Sequence, residues 1–339
     1  MAETAIKNPI QLKFFEKLKQ LVPPNISLAN EISDVLGISA DGAYRRMRGE
    51  SVLSMDELVK LCGHYKIPPD AIAASDETTS ATFHFRKMIS NEAGFQEYMK
   101  SILADLKSIN ASNPKQIIYS AQDIPLFHHF YSPLHIAFKI FHWQKSVLCL
   151  PSMEGKFFDA SVVNADLINT CRQMIENYVQ IPSIEIWHQD TMLGTLRTIE
   201  FAWESGWFKN KEEAHKTVEQ IGEIMAIIEK QATKESKFVK EEKWAENEGN
   251  FTMYESEVEI GNNNILVTAG SAKVLHIVHN TVNSLMTTNA AFCNETDAWF
   301  KNTMKKSVQI SGTAEKQRHK FFKKCHEKVS AVVSRISAS

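Results

Sequence analysis

The chain has 339 residues, of which 43% are hydrophobic and 23% are charged, so it is long enough for two or three domains with cores of their own. Its formal net charge of −2 excludes a protein that is held to polyanions by a global basic field. The 5 cysteines are scattered without a C-x-x-C pair, which indicates free thiols in a reducing compartment. The sequence opens without a signal-peptide core and has no apolar run near the ~18 residues of a membrane span, so we expect a cytoplasmic protein with no membrane partner.

Helical patterns dominate the first part of the chain. An amphipathic helix is predicted over Pro9 to Val22, and a second helix is predicted to begin at Ser27 as its N-cap. We expect Gly37 to adopt a left-handed conformation in the next turn and Ser39 to cap the helix that follows. Ser54-Met55-Asp56-Glu57 has the pattern of a capping box. A helix, a glycine-centred turn and a short helix carrying arginines form the build of a DNA-reading helix-turn-helix.

The same stretch resembles a known family. Leu36-Gly37-Ile38-Ser39, Arg45, Arg48-Gly49-Glu50 and Leu58-x-x-Leu61 stand at the spacing of Xre-type, lambda-repressor-like bacterial regulators. The resemblance covers roughly the first seventy residues and implies a domain that binds double-stranded DNA, which we expect to act as half of a homodimer. The residues expected at or near DNA are helix starts, base-facing positions and arginines: Ser27, Ser39, Ala40, Asp41, Gly42, Tyr44, Arg45, Arg46 and Arg48.

Two positions depart from that family. Ser33 replaces the usual alanine at the helix crossing, and Arg46 stands where an aromatic or aliphatic residue is common. The positions expected at base edges are poor in the Gln, Asn and Arg donors that make bidentate base contacts. We therefore expect readout by Arg45 or Arg46, or readout of DNA shape. The alternative is a small helical bundle that contacts protein, with the arginines on a solvated face.

The composition changes after the helical region. Residues 73–80 (AASDETTS) are typical of a linker. We therefore predict a helix-turn-helix domain over residues 1–75, a linker over residues 76–82 and a second domain over residues 83–339.

The second domain mixes strands with helices. The strand patterns at residues 116–120 and 183–188 are separated by helical stretches, which favours parallel pairing with helices on the sheet faces. Residues 251–279 predict a three-stranded antiparallel meander. The predicted fold class is α/β overall, with an all-α helix-turn-helix domain and a mixed α/β sensor or dimerisation domain.

Two helices of this domain carry apolar stripes. The stripe over Asn91 to Asn110 has heptad spacing, which predicts either packing onto its own domain or a dimer contact. The chain from Lys301 carries ten Lys or Arg against two acidic residues, so it ends in a basic amphipathic helix. Packing onto the α/β domain is the simplest role for that helix, and contact with the DNA backbone or a second subunit is the alternative. Residues 288–322 also resemble the C-terminal part of uncharacterised Bacteroidetes-type regulators, which implies no chemistry.

Polar residues follow two predicted strands. Asp123 comes after the first strand, and His188 and Asp190 come at the end of the second. The carboxyl ends of parallel strands form the usual ligand crevice of an α/β sheet. We therefore interpret Asp123, His188 and Asp190 as effector-binding residues, with acid–base catalysis as the alternative.

Known catalytic and cofactor motifs are missing. The sequence has no Walker loop, no G-x-G-x-x-G, no G-x-S-x-G elbow and no H-E-x-x-H. His128, His135 and His142 recur every seven residues, which in a helix separates neighbours by about 10.5 Å, too far for one metal ion. We expect no metal, cofactor or catalytic residue. The leading hypothesis is a bacterial DNA-binding transcriptional regulator with a small-molecule effector; the alternatives are an enzyme recruited by its helical module and a protein-interaction scaffold.

Overall fold

The chain forms two compact units, residues 1–82 and 83–339, each with its own hydrophobic core. The structure is a computed structural model that describes residues 9–21, 27–65 and 80–339. Residues 76–79 of the predicted linker lie outside this described part.

The described part of the first unit is helical, as the sequence predicts. Its helices are α1 (Pro9–Leu21), α2 (Leu28–Leu36), α3 (Ala40–Met47) and α4 (Met55–Tyr65). Their inward faces share one small core that includes Phe14, Leu18, Ile32, Ala43 and Leu61. Each of these side chains is almost completely buried, so packing rather than helix propensity holds such short helices in place.

The turns between these helices follow the predicted chemistry, with one exception. Gly37 has a φ of 66° and ends α2 in the left-handed conformation that glycine adopts without strain. The Ser39 hydroxyl accepts a hydrogen bond from the Gly42 N–H and so caps α3. Ser54 and Glu57 exchange the two hydrogen bonds of a capping box at α4. The Ser27 side chain makes no such bond, and its backbone carbonyl serves the first turn of α2 instead.

The second unit combines one mixed sheet with helices on both faces. Its strands are β1 (His84–Phe85), β2 (Lys115–Ala121), β3 (Ser183–His188), β4 (Phe251–Ser256), β5 (Asn264–Ala269), β6 (Ala272–His279), β7 (Asn283–Thr287) and β8 (Val308–Gln309). Its α-helices are α5 (Glu92–Ala111), α6 (Pro133–His142), α7 (Ala165–Tyr178), α8 (Leu193–Glu204), α9 (Lys211–Lys234), α10 (Ala290–Lys305) and α11 (Glu315–Ala338). The predicted fold class is thereby confirmed.

The eight strands form a single sheet in the order β1-β7-β6-β5-β2-β3-β4-β8. β2, β3 and β4 are parallel, as expected for strands separated by helices. The meander predicted over residues 251–279 is wrong in its first strand, because β4 pairs with β3 and not with β5. The consecutive antiparallel strands are β5, β6 and β7. Alternation within β4 reflects burial on one face of a central strand, and that pattern does not identify the partner strand.

The sheet faces are covered unequally. On one face, α10 packs Cys293 and Phe300 against Ile118, Ile186 and Leu275. On the other face lies the large core, to which α5, α6, α7, α9 and α11 contribute. The heptad stripe of α5 belongs to this core, since Phe95, Met99 and Leu106 are buried in it. The apolar stripe of the basic helix α11 likewise packs against α9, which is the simpler of the two roles that the sequence left open. Within the described ranges, no helix is long and apolar enough to cross a membrane.

Candidate functional site

The outer face of α3 is the candidate nucleic-acid interface of the first unit. Ala43 anchors the helix in the core with no exposed surface, and Tyr44 keeps 45% of its surface exposed. The other exposed residues at or next to α3 are Ser39, Ala40, Asp41, Arg45 and Arg48. The backbone at Gly42 lies close to the capping side chain, since a Cβ there would be 3.3 Å from Ser39 Oγ. The predicted DNA-contacting residues of α3 are thus mostly on one solvent-facing surface.

The arginines of this surface have different environments. Arg46 donates from Nε and Nη2 to the Glu57 carboxylate of α4, at 3.1 Å and 2.8 Å, and from Nη1 to the Gly42 carbonyl. Arg48 is paired with Glu50 in the open, at 2.7 Å. Among the described residues, no hydrogen bond or ion pair is made to the exposed side chain of Arg45. Arg45 is therefore the α3 cation whose guanidinium group is least engaged by the protein.

Gln11 ties the end of α3 to α1 and was not singled out by the sequence. Its amide nitrogen donates to the carbonyls of Arg46 and Ser51, at 2.7 Å and 2.8 Å. Its amide oxygen accepts from the Leu53 N–H at 2.9 Å. In the sequence, the only sign of this role is a glutamine on the apolar side of a helix. The loop that Gln11 binds lies about forty residues away, so no local pattern connects the two.

The second unit contains a cavity of about 970 Å³ at the carboxyl ends of β2 and β3. The three predicted effector-binding residues, Asp123, His188 and Asp190, all line it. The parallel pairing of β2 with β3 brings these distant parts of the chain together. The volume lies at the upper end of the range for drug-sized ligands.

Asp123 is held at the N-terminus of α8. Its Oδ2 accepts from the Thr195 hydroxyl at 2.9 Å, and its Oδ1 accepts from the backbone N–H groups of Ile124 and Thr195. Gly194 leaves the room for this arrangement, since a Cβ there would come within 2.9 Å of Asp123 Oδ2. Burial raises the pKa of Asp123, although Lys139 and these hydrogen bonds oppose the shift. Asp123 thus stabilises the start of α8 as well as lining the cavity.

His188 and Asp190 lie at a more exposed part of the lining. Asp190 Oδ1 forms an ion pair of 2.9 Å with Lys328 of α11, and Lys328 lowers the pKa of that carboxyl group. His188 Nδ1 accepts from the Asp190 N–H at 3.2 Å. The Asp190 carboxylate is therefore held by Lys328 of α11.

Lys139 also lines this cavity and is absent from the sequence prediction. It lies in α6 and keeps only 7% of its surface exposed. Burial lowers the pKa of Lys139, while the negative charge of Asp123 opposes that shift. The ammonium nitrogen lies 5.4 Å from the ring centroid of Trp143, which lines the same cavity. A single lysine within the apolar run PLHIAFKIFHW is the signal that sequence reasoning missed.

A second buried polar cluster surrounds Glu185 in β3. Its carboxylate accepts from His128 Nε2 at 2.8 Å, from the Tyr178 hydroxyl at 2.5 Å and from Trp187 Nε1 at 2.8 Å. The ammonium group of Lys237 lies nearby and donates to the carbonyls of Tyr178 and Ile181. Burial works to raise the pKa of Glu185, but His128 and the other donors outweigh it and lower that pKa. None of these side chains except Trp187 has any exposed surface, so the cluster stabilises the core and offers no access to a substrate.

The remaining histidines of this region are core residues. His129 Nδ1 and His135 Nε2 are 3.0 Å apart, and burial lowers the pKa of both rings far below the ordinary value. Burial also lowers the pKa of His142 to about 4. Within the described residues, no group of three or more His, Cys, Asp or Glu side chains is placed to hold a metal ion.

The comparisons with known proteins bear on the first unit. No curated protein and no solved structure matches the chain. Residues 11–96, however, match a family model described as the BetR domain. Because this domain is a DNA-binding, helix-turn-helix-like domain of regulators, the matched part of the chain is similar to such a domain, and α2 to α4 lie within it.

Proposed function

We propose that the protein is a sequence-specific, DNA-binding transcriptional regulator of the Xre type, in which residues 1–75 read an operator and residues 83–339 bind an effector and dimerise. The observation that carries this proposal is the solvent-facing surface of α3, mounted after a glycine turn on a small helical core, within the region that matches the BetR domain. That arrangement is the one in which a recognition helix enters the major groove.

Residues in and next to α3 have different parts in the proposed interface. Arg45 and Tyr44 face the bases or the adjacent phosphates, and the N-terminus of α3 at Ser39 binds a phosphate. Arg48 exchanges Glu50 for a phosphate when DNA is present. Arg46, with its guanidinium engaged by Glu57, fixes α3 on α4 and acts through the position of the helix.

The balanced charge of the first 75 residues makes a homodimer advantageous for DNA binding. Through Ser75 the chain has nine Lys or Arg and nine Asp or Glu, so non-specific attraction to DNA is weak. Two recognition helices on a two-fold symmetric operator double the contacts. A homodimer is therefore part of the proposal.

The cavity of the second unit supports effector sensing better than catalysis. Both Asp123 oxygens serve the start of α8, and Asp190 is paired with Lys328. The Thr195 hydroxyl donates to Asp123 as part of that helix start, and His188 Nδ1 lies 3.8 Å from Asp190 Oδ2, too far for a direct hydrogen bond. In contrast, a roomy cavity that combines an aliphatic patch with polar groups is typical of small-molecule binding.

Fluorescence anisotropy tests the DNA-binding role. The full chain is titrated onto labelled DNA from upstream of its own gene, beside random DNA of equal length, over a series of salt concentrations. We expect preferential binding to the upstream DNA that weakens steeply with salt. The Arg45→Ala variant should lose roughly ten-fold or more in affinity, which corresponds to the ~1–3 kcal/mol of a recognition-helix arginine.

Arg172→Ala is the matched control, because Arg172 is an exposed helical arginine of the second unit. It should bind DNA like the unmodified chain. Equal affinity for upstream and random DNA, with no effect of Arg45→Ala, would contradict the assignment of α3 as a recognition helix.

A further inference from the structure

The ammonium group of Lys139 is buried and has no hydrogen-bond or ion-pair partner in the described parts of the chain, although it lies over the Trp143 ring. Only 7% of the residue's surface is exposed, yet no described residue makes a hydrogen bond or ion pair to its ammonium group. Leaving a charge buried and unpaired is strongly unfavourable, so such a group either loses its proton or receives an anion. Lys139 lines the cavity, so an anion within the cavity can reach it.

Asp123 does not fill this role. It attracts Lys139 through space, but its carboxylate oxygens accept from Thr195 and from the Ile124 N–H. It forms no ion pair with Lys139 and leaves the donors of that ammonium group unoccupied.

Trp143 provides a second unused donor on the same part of the chain. It follows Lys139 by one helical turn and begins the π-helical turn Trp143–Val147. Its indole nitrogen is buried and has no hydrogen-bond partner among the described residues. The indole nitrogen has almost no surface open to the cavity, so the Lys139 ammonium group is the donor that a ligand reaches, and it points to a ligand group that accepts hydrogen bonds.

The rest of the wall combines polar side chains with an aliphatic patch. Its aliphatic side chains come from α5 and from the central strands: Ile102, Leu106, Ile109, Ile117, Ile265 and Val267. Such a wall gains from contact with a hydrocarbon or aromatic body. Among the other charged groups of the lining, Arg86 is paired with Asp105, Asp190 is paired with Lys328, and the exposed Arg197 and Glu259 have opposite signs. Lys139 is therefore the buried lining cation that no carboxylate contacts among the described residues.

We propose that the cavity binds a small carboxylate with an apolar body, whose carboxylate group is held by Lys139 beside the Trp143 ring and whose body lies against the aliphatic wall. This inference rests on the proposed sensory role of the second unit and names the chemical class of the effector.

Isothermal titration calorimetry of the full chain with matched eight-carbon probes tests the proposal. The probes are octanoate, octan-1-ol and octylammonium, which share a body and differ in head-group charge. We expect octanoate to bind about ten-fold more tightly than octan-1-ol, and octylammonium to bind most weakly, because a charge-assisted hydrogen bond is gained only by the carboxylate.

The Lys139→Met variant keeps the length of the side chain and removes the charge. It should lose about ten-fold in octanoate affinity and keep its affinity for octan-1-ol. Lys320→Met, at an exposed position of α11, is the control and should bind all three probes like the unmodified chain. If Lys139→Met does not fold, as judged by its circular dichroism spectrum, the comparison of probes on the unmodified chain still decides.

Equal affinity for octanoate and octan-1-ol, octanoate binding that is unchanged in Lys139→Met, or no binding of any probe would each overturn the proposal. DNA binding is measured by anisotropy on the same preparations without a probe. If the chain binds the upstream DNA but shows no preference for octanoate, the proposed regulatory function stands and the carboxylate ligand is excluded. If it prefers octanoate but does not bind DNA, the proposed regulatory function is excluded and the carboxylate site stands.

Discussion

Arg46 in α3 holds Glu57 in α4 by two hydrogen bonds, and the same Glu57 carboxylate accepts the Ser54 N–H of the capping box. One carboxylate thus fixes both the orientation of the proposed recognition helix and the start of the next helix. Burial works to raise the pKa of Glu57, but the bonds from Arg46 and Ser54 outweigh it and lower that pKa. The ion pair is therefore present at neutral pH.

Arg46→Met should loosen α3 through the loss of this pair. We expect faster amide hydrogen exchange over α3 and the first turn of α4, by roughly the factor of 5 that corresponds to about 1 kcal/mol of local stability. Exchange followed by mass spectrometry on peptides of the full chain measures the effect.

Arg45→Met is the matched control, with the same substitution one residue earlier. It should leave exchange unchanged and still weaken DNA binding, because the exposed Arg45 has no contact to lose within the described residues. Unchanged exchange in Arg46→Met would mean that the ion pair contributes nothing measurable to the position of α3.

Glu185 should be far more important for stability than any surface carboxylate. Replacing it with Ala leaves the Tyr178 hydroxyl and the donors of His128 and Trp187 without their acceptor, and it removes the negative charge that favours the protonated form of the buried Lys237. We expect a loss of about 3–5 kcal/mol in the free energy of unfolding of the second unit. All 6 tryptophans lie in that unit, so urea unfolding followed by tryptophan fluorescence reports on it.

The exposed Glu223 of α9 provides the control, since Glu223→Ala should change the same free energy by less than about 0.5 kcal/mol. A comparably small effect of Glu185→Ala would show that the buried carboxylate is replaced by water or dispensable.

Much of the fold could be predicted from the sequence, because many of its turns are specified by residues that lie within the turn itself. Gly37, Ser39 and the Ser54–Glu57 capping box specify turns through their own backbone chemistry, so the helix-turn-helix was predictable. The parallel pairing of β2 with β3 followed from the helices between them. The partner of β4 could not be read, because its burial pattern fits a parallel and an antiparallel neighbour equally well.

The site was predictable only in part, for the same reason. Asp123, His188 and Asp190 stood out because residues after parallel strands share one edge of the sheet. Lys139 and Gln11 act through partners that are distant in sequence, or through the lack of a partner, and neither condition leaves a local pattern. The environment of Arg46 was likewise invisible, since an arginine on a helix can face solvent or reach the next helix with the same spacing.

Acid should destabilise the second unit well above the pH at which carboxylates titrate. Burial lowers the pKa of His142 and of His276 to about 4, and it lowers the pKa values of His129 and His135 well below the ordinary value. The folded state keeps these rings neutral, whereas the unfolded chain binds protons at an ordinary pKa of 6.5. The unfolded state therefore holds more protons between about pH 6.5 and 4, so stability is complete above pH 6.5 and is lost as the pH falls through this range.

Urea midpoints by tryptophan fluorescence at intervals from pH 7.5 to 5 measure this effect. His142→Asn should flatten the dependence, by up to about 1.4 kcal/mol for each pH unit below 6.5, because one of the titrating groups is removed. The exposed His319→Asn should leave the slope as it is. A midpoint that stays constant from pH 7.5 to 5 would be incompatible with neutral buried rings.

The fit between Gly194 and Asp123 gives a sharper test of the cavity wall. A Cβ at residue 194 would lie 2.9 Å from Asp123 Oδ2, so Gly194→Ala must displace the carboxylate or the start of α8. We expect a loss of about 1–3 kcal/mol in the free energy of unfolding, against the usual gain from alanine in a helix. Gly222→Ala in α9 is the control, with only an ordinary contact of 3.7 Å to Val329, and should be neutral or stabilising. Equal effects of the two substitutions would remove the steric argument.

β1 is the part of the cavity wall through which an effector could influence the first unit. It begins two residues after that unit ends at Thr82, and its residues pair with Met286 and Leu285 of β7. His84 and Met286 both line the cavity. A ligand that favours one position of this short edge strand therefore acts on the segment that leads into the first unit, and its coupling to the proposed DNA binding must be reciprocal.

Phe85→Pro tests this coupling, because proline removes an N–H from a strand of two residues and weakens its pairing with β7. The Phe85 side chain is 67% exposed, so Phe85→Ala removes the ring and keeps the backbone N–H, which makes it the matched control. We expect octanoate to change the DNA affinity of the unmodified chain and of Phe85→Ala by about 5-fold or more, within the usual range of allosteric coupling. In Phe85→Pro, DNA and octanoate should each still bind, but the affinity for one should no longer depend on the other. Anisotropy titrations with and without octanoate give all the required affinities, and an undiminished effect of octanoate in Phe85→Pro would exclude β1 as the connection.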